Sequence, residues 1–169
     1  MLSAAKSGIT SKKRTIRYQK SYFVHMILSC IKKDLIVTII KIRYPGAIAW
    51  PFGDSAEMAD ELADLVIKGV KTATCCSLSS FKNEEESPTI GGYSIILNGK
   101  GDPVCVIRTI AMRIIRFCDV TDELAKKEGE GDLSLRYWRQ GHKQFFQREG
   151  SYCDTMELVA EEFELVELL

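Results

Sequence analysis

The sequence predicts an α+β fold, a small β-barrel with flanking helices, on three observations. Two strand-like runs, Tyr93–Leu97 and Val104–Arg116, are joined by the turn-rich Asn98-Gly99-Lys100-Gly101-Asp102-Pro103 and read as a hairpin. Single helical stretches with capping residues and glycine stops are interspersed with the strands. A β-branched and aromatic run, Glu157–Leu168, closes the chain as a further strand.

Taken in order, Pro45-Gly46 and Pro51-Phe52-Gly53 punctuate the chain and mark a boundary near residue 45. Asp54-Ser55-Ala56-Glu57 supplies a D-x-x-E capping pattern. Behind it Met58, Ala59, Leu62, Ala63, Leu65 and Val66 recur at helical spacing until Gly69. Lys71 to Ser77 is rich in Thr and Cys and fits a strand leaving that helix at once, and 82–89 reads as a loop. Along Val104–Arg116 both parities are largely apolar, which predicts a long strand buried on two sides. Thr121–Glu128 is a short helix. Asp132 is placed to cap a longer one carrying Leu135, Trp138, His142, Phe145 and Phe146 as its stripe, and Gly150 ends it.

With 169 residues, 46% hydrophobic and 27% charged, the chain suits one domain with a real core. Disorder, collagen and a polytopic membrane protein do not fit these figures. A formal net charge of +0 conceals an asymmetry. Residues 1–45 carry ten Lys/Arg against Asp34 alone, +9, and residues 46–169 carry 13 basic against 22 acidic side chains, −9. The division predicts a basic N-terminal extension, 1–46, joined to an acidic domain, 47–169, with the extension peripheral to the core. The apolar run Tyr22–Ile31 lacks a cleavage site and is interrupted by Lys32, Lys33 and Asp34, so neither a signal peptide nor a membrane span is complete. Leu35–Ile42 is β-branched and fits either a strand or a packed extension. A docking extension, a nucleic-acid arm, an organellar transit peptide and a start placed too early all remain open for this segment. Six cysteines without a C-x-x-C pair, and two histidines, read as reduced thiols in a cytoplasmic protein, with no metal and no cofactor expected.

Between 47 and 169 a series of pieces stands in a telling order. It runs from Trp50-Pro51-Phe52-Gly53-Asp54 through Glu57-Met58-Ala59-Asp60-Glu61-Leu62-Ala63 to Gly69-Val70-Lys71-Thr72-Ala73-Thr74. It continues with Gly91-Gly92-Tyr93-Ser94, Pro103-Val104-Cys105-Val106-Ile107, Glu128-Gly129-Glu130-Gly131-Asp132, Trp138, His142 and Phe145-Phe146. In this order the pieces resemble the ASCH family, which is related to the PUA-like RNA-associated barrels. The resemblance implies a PUA-like β-barrel with helices closing its ends and a cleft for RNA or a modified nucleoside. It is distantly similar to one bacterial branch, the N(4)-acetylcytidine amidohydrolases, which implies a catalytic Lys, Thr and Glu. Those roles fall here on Lys71, Thr74, and Glu128 or Glu130. Other relatives are connected with ribonuclease activity, so membership alone does not select a reaction.

The chemistry sets conditions. Threonine becomes a nucleophile when a base removes its proton, and lysine is a base only when its pKa falls. A carboxylic acid near the leaving amine would shuttle the proton, the role expected of Glu128 or Glu130. In a continuous strand Lys71 and Thr74 point to opposite faces, so they converge only if Lys71 sits in the turn after Gly69. Without the resemblance, the same residues read as a helix-to-strand turn with a solvated lysine. Thr72, Tyr93, Arg108, Trp138 and His142 complete the expected ligand-contacting set, as hydroxyl, stacking, phosphate and acid–base groups. At helical spacing Trp138 reads first as core, and His142 first as a packed histidine.

The expected function is therefore an ASCH-type protein binding RNA or a modified nucleoside, with hydrolysis of a pyrimidine amide as its possible chemistry. The alternatives are a non-catalytic RNA-binding module and a regulatory domain for another small ligand. No membrane partner is expected. The −9 charge of the domain argues against long, non-specific RNA tracking, because phosphate neutralisation supplies most of that affinity.

Overall fold

The computed structural model describes residues 31–169. The readings of residues 1–30 lie outside the described residues. Five strands, β1 (Ile48–Pro51), β2 (Ala73–Ser77), β3 (Tyr93–Leu97), β4 (Pro103–Arg116) and β5 (Glu157–Leu168), form one sheet in the order β1-β3-β4-β5-β2. Among the described residues only the β1–β3 pair is parallel. A flat sheet would hold its two edges about 19 Å apart, four spacings of ~4.8 Å. Here both edge strands line one cavity, so the sheet is curled into a half-barrel with an unclosed β1/β2 seam. Register shifts at Val106/Ile107 and Thr109/Ala111 in the long β4–β5 ladder supply bends of the kind that curl a sheet.

Helices flank this sheet: α1 over residues 31–43, α2 (Ala56–Ile67), α3 (Leu78–Asn83), α4 (Asp122–Glu128) and α5 (Leu135–Glu149), with a single 3-10 turn at Phe117–Asp119. Ser55, not Asp54, caps α2 by accepting from the Met58 amide at 3.2 Å, and Asp54 instead pairs with Arg148. At α5 the cap is Ser134, and Asp132 braces it by accepting from the Ser134 amide. In both cases the serine lies closer to the first helical turn than the aspartate, so it reaches the orphan amide. Neither β1 nor α3 is evident in the sequence. The first is four residues bounded by prolines, and the second is a Ser-rich turn whose cap, Ser77, belongs to a strand.

Three apolar clusters make the core. One packs Ala73, Cys75, Phe117, Leu124, Trp138, Phe146 and Leu158 between β2, β5 and the pair α4–α5. A second holds Phe52, Leu62, Val66, Ile96, Ile107 and Phe163 under α2. The third joins Ile40 of α1 to Ala47, Ile95 and Val106. Residues 35–42 are thus helical, not a strand, and their packing is not peripheral. Val37, Ile40 and Tyr44, three and four residues apart, put one face of α1 on the sheet. Tyr44 donates to Glu167 at 2.7 Å, Arg43 pairs with the same carboxylate, and Lys33 meets Asp102 at 3.0 Å, so the basic segment docks on acidic partners. β4 is buried on both faces only across Cys105–Ile107, and Ile110 and Ile114 beyond it are exposed.

Ile40→Ala should lower unfolding stability by about 2 kcal/mol, the lower end for a buried aliphatic truncation. Urea unfolding monitored by circular dichroism measures this. An unchanged midpoint would show that α1 adds nothing to the core.

Candidate functional site

The site begins where α2 stops. Gly69, in the left-handed region at φ 70°, reverses the chain, and the amides of Val70 and Lys71 both donate back to the Leu65 carbonyl, at 2.9 and 3.1 Å. Lys71 therefore precedes β2, and strand alternation does not dictate its direction. α4 ends beside it. Gly129 caps that helix at φ 78°, and a Cβ there would lie 2.8 Å from the Val70 carbonyl oxygen. Only glycine allows the Glu128-Gly129-Glu130 segment to pass so close to the turn.

The consequence is a buried ion cluster. Lys71 Nζ, on a residue 1% exposed, donates to Glu128 Oε2 at 2.8 Å, to Glu130 Oε1 at 3.0 Å and to the Glu128 carbonyl at 3.3 Å. It also lies 5.5 Å from the centre of the Phe52 ring. Glu128 is 0% exposed, and its other oxygen accepts from the Trp138 indole at 2.9 Å. His142 stacks on Trp138 with ring centroids 4.0 Å apart, and its Nε2 is 3.5 Å from Glu128. Burial pulls the Lys71 ammonium down, but the Glu128 and Glu130 charges more than offset it and hold its pKa above the ordinary lysine value. Burial likewise pushes the Glu128 carboxyl up, and Lys71, with help from His142, brings it below the usual carboxylate range. Lysine as a free base does not match this resting state. The ammonium is the form the cluster favours.

The cluster opens into a cavity of about 190 Å³, whose wall includes Phe52, Lys71, Thr74, Glu130, Tyr137 and His142. Cys75 also lines it, but burial, followed by the Glu128 charge, pushes its thiol well above the ordinary value, so it is held as the unreactive thiol. Glu128, Glu130 and His142 each offer an atom within 4.8 Å of one another, a spacing a cation could bridge. Lys71 already supplies positive charge to both carboxylates, so a divalent ion there would face its ammonium.

Of the residues expected from the sequence, Lys71, Thr74, Glu128, Glu130 and His142 line this one cavity. Trp138 stands behind it, buried and bonded to Glu128. Thr72 ties the turn to α4 through its amide and the Lys127 carbonyl, 2.7 Å apart, and does not line the cavity. Tyr93 packs on Tyr44 beside α1, and Arg108 reaches Gly91 and Glu164, so neither faces the cavity. Their strand positions suited a ligand, but β3 and β4 carry them to the α1 side. Sequence reading did not single out Tyr137 or Glu61, because aromatic and acidic residues on helices usually mark core or solvated faces.

A half-barrel with helices at its ends and a buried Lys–Glu cluster beside the seam defines the class of protein. A family model of the ASCH domain matches residues 48–167, and the chain belongs to this family. It is 41% identical to a protein from Enterococcus faecalis V583, over 72% of this chain and 77% of that one, with a TM-score of 0.65. It is also similar to an ASCH domain from Lactobacillus crispatus JV V101, at 28% identity over 86% of this chain and 92% of that one, with a TM-score of 0.67. No curated protein matches the chain. Among the described residues, no helix is long and apolar enough to cross a membrane.

The shifts fix the sign of the cluster's pH dependence. Lys71, raised in the fold, contributes in full below the unfolded value of about 10.4 and loses its contribution as pH rises through the folded value. Glu128, depressed in the fold, contributes in full above about 4.3 and loses it as pH falls through the folded value. Melting temperature should thus lose this contribution at both extremes, and in Lys71→Met/Glu128→Leu the dependence should flatten. Lys71→Ala alone strands a buried carboxylate and should cost about 3–5 kcal/mol. Thermal unfolding of these variants from pH 3 to pH 11 checks both statements.

Proposed function

We propose that this ASCH protein binds a modified pyrimidine nucleoside and hydrolyses an amide on its base. The observation that carries the reading is the buried Lys71 ammonium between Glu128 and Glu130, in a cavity whose wall also includes Thr74. Charge supports a small neutral ligand over RNA. The charged residues of this cavity wall are Glu61, Lys71, Glu128 and Glu130, one cation against three carboxylates, and nothing there would neutralise a phosphate backbone.

In this reading Lys71 becomes basic by passing a proton to Glu130, whose side chain is 26% exposed while that of Glu128 is sealed at 1%. The proton moves within the cluster, so its total charge is unchanged. Lys71 then takes the Thr74 proton as Thr74 Oγ1 attacks the amide carbonyl carbon. The carbon–nitrogen bond breaks, the exocyclic amine leaves with a proton returned through Glu130, and water hydrolyses the ester left on Thr74. Trp138 and His142 act on Glu128 and hold it toward Lys71.

Incubation with N(4)-acetylcytidine should release acetate and cytidine, measured by chromatography. Thr74→Val, which keeps the side-chain volume, should abolish turnover. Glu130→Gln should lower kcat by about 10²-fold or more, as for loss of a general acid–base group. The double variant should be no worse than Thr74→Val alone, because groups acting as a unit fail together. If instead no acetate is released and short RNA binds with a steep salt dependence, the non-catalytic RNA-binding module is the correct reading.

A further inference from the structure

Helix α1 has two apolar faces. At about 100° per residue, Val37, Ile40 and Tyr44 fall on one side of it, and that side packs on the sheet. Ile31, Leu35, Ile39 and Ile42, four, four and three residues apart, fall within about 80° of one another on the opposite side. They are 56%, 57%, 53% and 75% exposed, and none joins a core cluster among the described residues. A surface helix ordinarily turns a polar face to water. This one turns out a stripe of large aliphatic side chains about 16 Å long, at ~1.5 Å per residue. A contiguous apolar patch of this kind marks a contact.

Basic residues border the stripe. Lys32 and Arg43 lie along one edge and Lys41 along the other, and Asp34 is the one acid between residues 31 and 43. The same pattern precedes α1 in the sequence. Tyr22–Leu28 is apolar apart from His25, Lys12, Lys13, Arg14, Arg17 and Lys20 come before it, and residues 1–33 hold no acid. The matching partner is therefore both apolar and anionic. RNA offers the charge without an aliphatic surface. A second copy offers the aliphatic surface, but two α1 stripes face to face would set Lys32, Lys41 and Arg43 against themselves. An acidic helix of another protein has both properties over a limited length, whereas the apolar and basic pattern extends well beyond α1 in the sequence. A bilayer with anionic headgroups has both properties and no fixed length.

We propose that α1 lies on an anionic lipid surface, with Ile31, Leu35, Ile39 and Ile42 in the acyl boundary and Lys32, Lys41 and Arg43 at the headgroups. The incomplete span that argued against a membrane partner does not bear on this mode. Crossing a bilayer takes ~20 apolar residues, whereas lying in its interface takes one apolar face. The sheet sits on the far side of α1 from the stripe. A helix with its side chains is about 10 Å thick, close to the Debye length of ~8 Å at physiological salt. The −9 charge of residues 46–169 is thus held where its repulsion from the surface is screened. No residue of the Lys71 site takes part, so docking and the proposed hydrolysis are independent.

The experiment is flotation of the full chain with vesicles of phosphatidylcholine alone, and of phosphatidylcholine and phosphatidylglycerol in equal parts. Wild type should float with the mixed vesicles and not with the neutral ones, and added salt should release it. Leu35→Gln/Ile39→Gln leaves residues 1–30 and every bordering charge in place, and should bind about tenfold or more weakly. Both side chains are exposed, so this variant should melt within about 2 °C of wild type. Flotation of the variant equal to wild type would assign the binding to residues outside the stripe and overturn the proposal. Equal flotation with neutral vesicles overturns it as well. So does the absence of flotation with mixed vesicles, which would leave an acidic protein face as the occupant. A fall in the variant's melting temperature also overturns it, because the stripe would then be covered by the chain itself. If sedimentation shows the variant dissociating a dimer, the occupant is a second copy and the lipid reading falls.

Discussion

The ion pair between Lys71 and Glu128 is the constraint around which the domain is arranged. Two opposite charges removed from water each carry a solvation penalty of several kcal/mol, recovered only when geometry and further hydrogen bonds are good. Here the compensation comes from three separate elements: the end of α2 delivers Lys71, the end of α4 delivers Glu128 and Glu130, and α5 delivers Trp138 and His142. Each helix must stop at a set place for this to happen. Gly69 and Gly129 are the residues that stop two of them, both with positive φ.

The remaining architecture follows from the open seam. A closed barrel would pair β1 with β2 and fill the space between them. This sheet keeps them apart as its two edges, so edge strands, usually a liability, become the walls of a groove. Thr74 sits on β2 opposite Glu161 of β5, and it lines both the Lys71 cavity and the cavity between the edge strands. Both cavities are lined by more carboxylates than cations. The −9 charge of residues 46–169 is thus not only a surface property; part of it faces the groove. Two cations of α1, Lys33 and Arg43, meet other acidic residues of the domain, Asp102 and Glu167.

Much of this was legible in the chain. Hairpin and helix periodicity revealed β3, β4, β5, α2, α4 and α5, because a buried face imposes its period on the sequence wherever an element is long enough. The order of short pieces revealed the ASCH resemblance, and with it Lys71, Thr74 and the Glu128-Gly129-Glu130 segment. Placing Lys71 in the turn after Gly69 was the geometric condition for its meeting Thr74, and the turn is where it lies. Short elements escaped: four-residue β1 and six-residue α3 offer too few positions for a period to register. For Leu35–Ile42 the sequence left a strand and a packed extension open, because β-branched residues favour strands locally; the three- and four-residue steps through Val37, Ile40 and Tyr44 settle it as a packed helix once there is a sheet to pack on.

By itself, then, the sequence determined the mixed α+β class, the family, the charge division and the candidate residues Lys71, Thr74, Glu128 and Glu130. Each of these is written in local composition, spacing or motif order. Tertiary structure alone decided the protonation state of Lys71 and the separation of Tyr93 and Arg108 from the cavity. It alone brought Trp50 and Glu161 to a common interior. Trp50 and Glu161 are 111 positions apart and on different strands, and nothing near either residue announces the other. The pKa of a buried lysine, likewise, depends on which carboxylates the fold sets within 3.0 Å of it, and that is a property of distance in space, not along the chain.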